Sequence, residues 1–385
     1  MIWITGYEQS WYTPAGQVEP IVNSGFASHK GPQRIMPTNR HPEASPAGGA
    51  ELAQAAKTED APLLEVDDLR VEFRTDSGPI TVVKGVSFTI REGETLGLLG
   101  ESGSGKTVTS LAVLGLVPSA AGRISGGRVF FSGQDLATLG ARDFRRLRGS
   151  SMTMILQDPL TSLNPVFTIG NQLMETLRLH RIGPRDQIAH RAVELLRQLH
   201  IPAAETRLRN YPHQFSGGMR QRVVAAIALA GNPRLLIADE PTTSLDVTVQ
   251  ANFLRLLKSI QQRTGLAILF VTHDLGVIAR VCNRAAVMYG GRIVEEAPVS
   301  TLFRAPAHPY TELLLKALPT IENRAERLSW IPGQPPATVE SFAGCPFAPR
   351  CPKALDLCRQ EAPPETWLAT EHRVACWLHA TAEAQ

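Results

Sequence analysis

No stretch of this 385-residue chain approaches the roughly 18 consecutive apolar residues that a membrane-spanning helix needs. The N-terminus, Met1-Ile2-Trp3-Ile4-Thr5-Gly6-Tyr7-Glu8, lacks the basic start and sustained apolar core of a secretory signal. These two absences make the cytoplasm the expected address, and other chains would have to supply any membrane part. Excess charge is missing too. The formal net charge of +3 is too small to argue for nucleic acid or an anionic membrane surface as a partner. Residues 1–62 are rich in Pro, Gly, Ala, Ser and Asn and show no sustained helical or strand period, so they are expected to form a disordered extension. Met36 is an alternative start within it. The length leaves room for two or three units of ordinary domain size, with the composition of a soluble globular protein.

What the chain does carry is Gly100-Glu101-Ser102-Gly103-Ser104-Gly105-Lys106-Thr107, a Gly, four residues, then Gly-Lys-Thr. That is the pattern of a phosphate-binding loop. An apolar run, Leu96 to Leu99, precedes it, and Val108 to Leu114 follows at helical spacing. A Gly/Ser-rich turn is the plain alternative, but it would not need this strand–loop–helix context. Glycines let backbone N–H groups turn toward an anion, and the helix N-terminus adds a favourable dipole. Lys106 is placed to reach the β- and γ-phosphates of a nucleoside triphosphate, and the Thr107 hydroxyl to ligate magnesium.

Around the loop the pattern alternates. Leu69–Phe73, Ile80–Val83 and Val86–Ile90 read as strand pieces before the loop, and Gly127–Phe131 and Met152–Leu156 as strands after it. From Thr168 to about Asn232 the pattern turns helical, and strands return at Leu235–Ala238 and Ala267–Val271. Strands alternating with helices imply a largely parallel sheet, with the helical block inserted within it. Asp239-Glu240 closes a buried strand, which suits Asp239 to the magnesium shell and Glu240 to the role of general base toward water. Alone, an Asp-Glu pair would be a solvated turn. His273, just past the next strand, can contact the γ-phosphate, although alone it would read as a helix cap. Ser216-Gly217-Gly218 opens a helix, a second anion-binding N-terminus that one triphosphate does not need; it fits the nucleotide of a facing subunit. A simple N-cap is the plain alternative.

In order, these motifs resemble the ATPase subunit of an ABC transporter over residues 63–318. Gly100–Thr107 matches the Walker A loop, Gln157 the Q-loop, and Phe215–Met219 the signature motif in a variant form. Leu235–Glu240 matches Walker B, Ser244-Leu245-Asp246 the D-loop, and His273 the switch histidine. The resemblance implies an α/β fold with a RecA-like P-loop core, a helical subdomain over about 168–232, and a cysteine-bearing appendix over 319–385. It implies Gln157 beside Thr107 and Asp239 at the magnesium, and an aromatic, here Phe73, stacked on adenine. It further implies a head-to-tail dimer that ATP closes and hydrolysis reopens.

Three local strings resemble oligopeptide and dipeptide importers more closely: Gln157-Asp158-Pro159-Leu160-Thr161-Ser162-Leu163-Asn164-Pro165, Tyr211–Arg222 and His308-Pro309-Tyr310-Thr311. By that resemblance the expected partners are a second ABC ATPase subunit, two permease subunits and an extracytoplasmic substrate-binding protein. The chain would then work at the cytoplasmic face of the membrane, bound to ATP and Mg2+ and touching no peptide itself. Nickel and glutathione importers are related alternatives. A soluble ABC ATPase of DNA repair or translation is a more distant one, usually needing two nucleotide domains or a long coiled-coil insertion.

Cys282 reads as a buried core thiol. Cys345, Cys351, Cys358 and Cys376 cluster among prolines, which in a cytoplasmic protein points to metal rather than disulfides. Their spacing lacks the close pairs usual for structural zinc. Four thiolates can hold an iron–sulfur cluster, and the C-terminal region of the peptide-importer ATPases resembles this pattern. A [4Fe–4S] cluster is therefore the expectation, with zinc and unligated or disulfide states as alternatives.

Overall fold

Alternation of apolar and polar residues makes two long antiparallel strands, β1 (Leu64–Thr75) and β2 (Gly78–Ile90). The computed structural model describes residues 61–318, 330–335 and 342–380, so nearly all of the extension expected over 1–62 lies outside the described residues. The two strand pieces expected at Ile80–Val83 and Val86–Ile90 are one strand. Register shifts in the pairing with β1 around Val66–Arg70 absorb the irregularity. Gly85 sits there at φ +87°, where a Cβ would come within 2.6 Å of the Asp68 carboxylate. β4 (Gly122–Phe131) pairs with the other edge of β1, and the short β5 (Gln134–Asp135) completes a four-stranded antiparallel sheet.

The second sheet carries the chemistry. Its strands are β3 (Thr95–Leu99), β6 (Met152–Ile155), β7 (Leu235–Asp239), β8 (Ala267–Thr272), β9 (Arg284–Tyr289), β10 (Arg292–Pro298), β11 (Glu365–Ala369) and β12 (His372–Ala375). Their order is β11-β12-β10-β9-β3-β8-β7-β6. β9, β3, β8, β7 and β6 run parallel, and β3, β7 and β8 are buried at every position. Such continuously apolar strands are what a sheet covered on both faces requires. The helices Lys106–Val113, Val247–Thr264 and Leu275–Val281 follow β3, β7 and β8. Each strand in the parallel part therefore delivers its C-terminal end to the same edge.

Between β6 and β7 lies the helical block, with helices Ile169–Leu179, Ile188–Gln198 and Gly217–Leu229. Ile169, Leu173 and Leu177 on the first, and Ile188, Ala192 and Leu196 on the second, repeat at four-residue intervals and are buried in one apolar core with Phe215 and Val223. The C-terminal residues extend this second sheet, because β12 pairs with β10 and β11 with β12. No helix among the described residues is long and apolar enough to cross a membrane.

Candidate nucleotide site

The phosphate loop leaves the buried end of β3 at Gly100, where only glycine fits: a Cβ would lie 2.2 Å from the Met288 carbonyl oxygen. Gly105, at φ +101°, sits at the N-cap of the helix Lys106–Val113. Ser104 is buried beneath the loop, while Ser102 and Gly103 are exposed at its crest. Gly103 takes φ +80° with nothing near its Cα to hinder approach. Lys106 is buried, its Nζ donating to the carbonyls of Gly100 at 2.8 Å and Glu101 at 2.9 Å. Burial lowers its pKa, and the carboxylates of Glu240, Asp239 and Glu101 oppose that shift.

Thr107 Oγ1 donates to Asp239 Oδ1 at 3.3 Å, joining the start of the helix to the end of β7. Asp239 is only 3% exposed. Burial pushes its pKa up to about 6; the Thr107 hydrogen bond and Lys106 pull down, and the neighbouring Glu240 pushes up. A carboxylate so poorly compensated, beside a hydroxyl, suits a hard divalent cation, and magnesium fits this donor set. Gln157, just past the end of β6, donates from its Nε2 to Glu240.

Glu240 is the convergence point. Its backbone takes φ 45°, uncommon for a residue with a Cβ, and its N–H donates to Val271 O at 2.9 Å. One carboxylate oxygen meets His273 Nδ1 at 3.0 Å. The other accepts from Gln157 Nε2 at 3.2 Å and Thr243 Oγ1 at 3.0 Å. Burial would raise its pKa, yet hydrogen bonds from His273 and Thr243, with the charges of His273 and Lys106, hold it below the usual carboxylate range. Glu240 is an ionised acceptor at neutral pH. Capping of the helix Leu275–Val281 falls to Asp274, whose side chain accepts from Gly276 and Val277 N–H. His273 is thus left free for Glu240. Thr243 went unnoticed in the sequence, although its place three residues after Glu240 in a turn was a usable signal.

The remaining candidates stand in other local roles. Ser216 caps the helix Gly217–Leu229, accepting from Met219 N–H at 3.4 Å. Gly217 is open on its Cβ side, whereas a Cβ on Gly218 would strike Val249 at 2.4 Å. Asp246 caps the helix Val247–Thr264 by accepting from Thr248 and Val249 N–H. Phe73 is half-buried near the end of β1, its ring over Gly122.

Comparison with known proteins decides the family. The family model described as ABC transporter matches residues 83–243, and that described as oligopeptide/dipeptide transporter, C-terminal region, matches 294–358. The oligopeptide transport ATP-binding protein AppD of Bacillus subtilis is 47% identical over 317 residues, 82% of this chain and 97% of that protein. The dipeptide transport ATP-binding protein DppD of Escherichia coli is 45% identical over 314 residues, 82% of this chain and 96% of that one. The chain belongs to the ATP-binding subunits of peptide ABC transporters. Among solved structures, the ATP-binding cassette MJ0796, a dimer in a post-hydrolysis state bound to ADP and Pi, matches with a TM-score of 0.55. It shares 26% identity and covers 61% of this chain and 98% of its own.

In the ATP-binding subunit the four C-terminal cysteines converge only in part. Cys345, Cys351, Cys358 and Cys376 line one cavity with His308, Phe347 and Trp377, but it measures about 10 Å³, room for roughly one water. Among the described residues, no three His, Cys, Asp or Glu side chains are arranged to hold a metal ion. The described residues therefore give the expected iron–sulfur ligand set no support. Burial pushes the thiols of Cys345, Cys351 and Cys376 above the usual cysteine range, and Cys345 reaches about 11. Cys282 follows its helix with its sulfur against β3 at Gly97, and burial likewise raises its pKa.

Proposed function

We propose that this subunit hydrolyses ATP to drive uptake of oligopeptides or dipeptides through a membrane permease. The observation that carries the chemistry is the Glu240 carboxylate, ionised and held from both oxygens at the mouth of the phosphate loop. Lys106 and the loop N–H groups hold the triphosphate. Glu240 takes a proton from water as the water oxygen bonds to the γ-phosphorus and the bond to the β-bridging oxygen breaks, releasing ADP and phosphate. His273 and Gln157 orient the carboxylate. Magnesium, held by Thr107 and Asp239 with Gln157 nearby, would supply charge neutralisation on the phosphate oxygens.

The match of residues 294–358 to the oligopeptide/dipeptide transporter C-terminal region favours peptides as the cargo class and weighs against a soluble repair or translation ATPase. The proposed assembly has a second ATPase subunit, two permeases and an extracytoplasmic binding protein, with this subunit peripheral at the cytoplasmic face. The proposed [4Fe–4S] cluster rests on cysteine spacing, on the resemblance of this region to the peptide-importer ATPases, and on the cavity the four cysteines share. Iron and labile-sulfide analysis of anaerobically purified protein decides it, since thiols free of both would remove the cluster. For transport, a mild-detergent pull-down followed by reconstitution into vesicles is the test. Peptide-stimulated ATPase in the recovered complex supports the reading. Stimulation only by nickel or glutathione would replace the cargo, and recovery with repair or ribosomal proteins would overturn it.

A further inference from the structure

Glu101 is an unexpected residue in a loop that cradles phosphates, because a carboxylate there opposes the field that the N–H groups and Lys106 provide. Its main chain is pinned on both sides. Its N–H donates to Tyr310 Oη at 3.0 Å, and its carbonyl accepts from Lys106 Nζ at 2.9 Å. Its side chain is gripped by Arg350, which lies 249 residues downstream, through Nη1–Oε2 at 2.7 Å and Nη2–Oε1 at 3.2 Å. That is the two-pronged geometry in which arginine binds a carboxylate most firmly.

Arg350 is 8% exposed, and each of its donor nitrogens is engaged. Besides Glu101, it donates to Tyr289 Oη at 3.1 Å, Pro332 O at 2.9 Å and Ile331 O at 3.4 Å. The rings of Tyr289, Tyr310 and Phe347 pack on one another, with centroids 4.6 to 5.3 Å apart, in the apolar cluster beside the pair. An exposed ion pair would contribute little. Here, loss of one partner leaves a partly buried charge without compensation.

We propose that Arg350 is a positioning residue of the phosphate loop: it neutralises Glu101 and fixes the loop's second residue, so ATP affinity depends on a side chain from the C-terminal segment. Without Arg350, the Glu101 carboxylate faces the incoming triphosphate and the segment that carries Lys106's acceptors loses its anchor. The chemistry at Glu240 is untouched, so the effect falls on binding rather than turnover.

The test uses full-length protein, with equilibrium titration by a non-hydrolysable ATP analogue and magnesium, and steady-state ATPase in parallel. Arg350→Met is expected to raise Kd and KM for nucleotide about tenfold while kcat stays within about twofold. Adding Glu101→Gln to Arg350→Met is expected to restore affinity to within about threefold of wild type, because the repelling charge is gone. A merely structural arginine would not be rescued in this way. Arg350→Met binding like wild type, or a double variant as weak as the single one, overturns the proposal. Should Arg350→Met fail to fold, Glu101→Gln alone decides: affinity at or above wild type supports neutralisation, and a loss of about tenfold overturns it. A wild type that binds no nucleotide would instead remove the ATP reading on which the proposal rests.

Discussion

At the scale of single residues, Glu240 combines an uncommon backbone conformation with three side-chain hydrogen bonds. Such strain persists where the surroundings over-determine it, and here they aim a charged oxygen. Glu240→Gln keeps the shape and removes the basicity. It is expected to bind ATP as wild type does and to release phosphate about a hundredfold or more slowly; phosphate release at saturating ATP measures it, and wild-type turnover would refute the base assignment. A second residue sets a pH limit. His308 is buried, its Nδ1 accepting from Tyr310 N–H, with Glu295 accepting from its backbone N–H and His379 nearby. Burial foremost, with the charge of His379, lowers its pKa to about 3. The unfolded imidazole takes a proton below about pH 6.5 that the folded one refuses, so this stabilisation is full above that pH and lost as pH falls. By pH 5 the loss is about 2 kcal/mol. His308→Asn retains a capping side chain and cannot titrate, so denaturation at pH 7.5 and pH 5 should show a correspondingly smaller acid penalty.

At the scale of elements, legibility followed sequence distance. Gln157, Glu240 and His273 lie far apart in the chain, yet each sits within two residues of the end of a largely buried strand, and a strand end is recognisable from its own apolar run. Parallel strands then bring those ends to one edge. The Arg350–Glu101 pair left no such trace: Glu101, between Gly100 and Ser102, stands out in a phosphate loop, but nothing in an Arg before a Cys 249 residues on marks its partner. β11 was missed for another reason: four of its five residues are exposed, so no alternation marks it as a strand. The signature helix offers a test at this scale. Gly217 has open space where a Cβ would go, while Gly218 abuts Val249. Gly217→Ala should leave thermal stability nearly unchanged, whereas Gly218→Ala should cost about 1–3 kcal/mol through overpacking. If Gly217 serves only to shape its own helix, its substitution will also leave ATPase unchanged. A stable Gly217→Ala protein with strongly reduced ATPase would instead place that helix end against a nucleotide.

At the scale of the whole molecule, one chain brings together Lys106, Thr107, Asp239, Glu240, Gln157 and His273, but Ser216 and Asp246 accept hydrogen bonds from the N–H groups of their own helices. Both are local caps, and a cap hydroxyl with an open glycine beside it leaves helix N–H groups directed outward. Two copies arranged head to tail would give each phosphate loop the other's helix end, two cradles on one triphosphate. The same chain that slows hydrolysis makes this measurable. Glu240→Gln with ATP and magnesium should migrate at twice the chain mass in light scattering, return to the monomer on exchange into ADP, and dissociate on addition of Gly217→Asp, whose carboxylate would face phosphate. A Glu240→Gln protein that stays monomeric at every ATP concentration would mean that this chain does not pair with itself. Its Ser216 helix would then serve the loop of a different ATPase subunit, and mixing the two should restore the doubled mass.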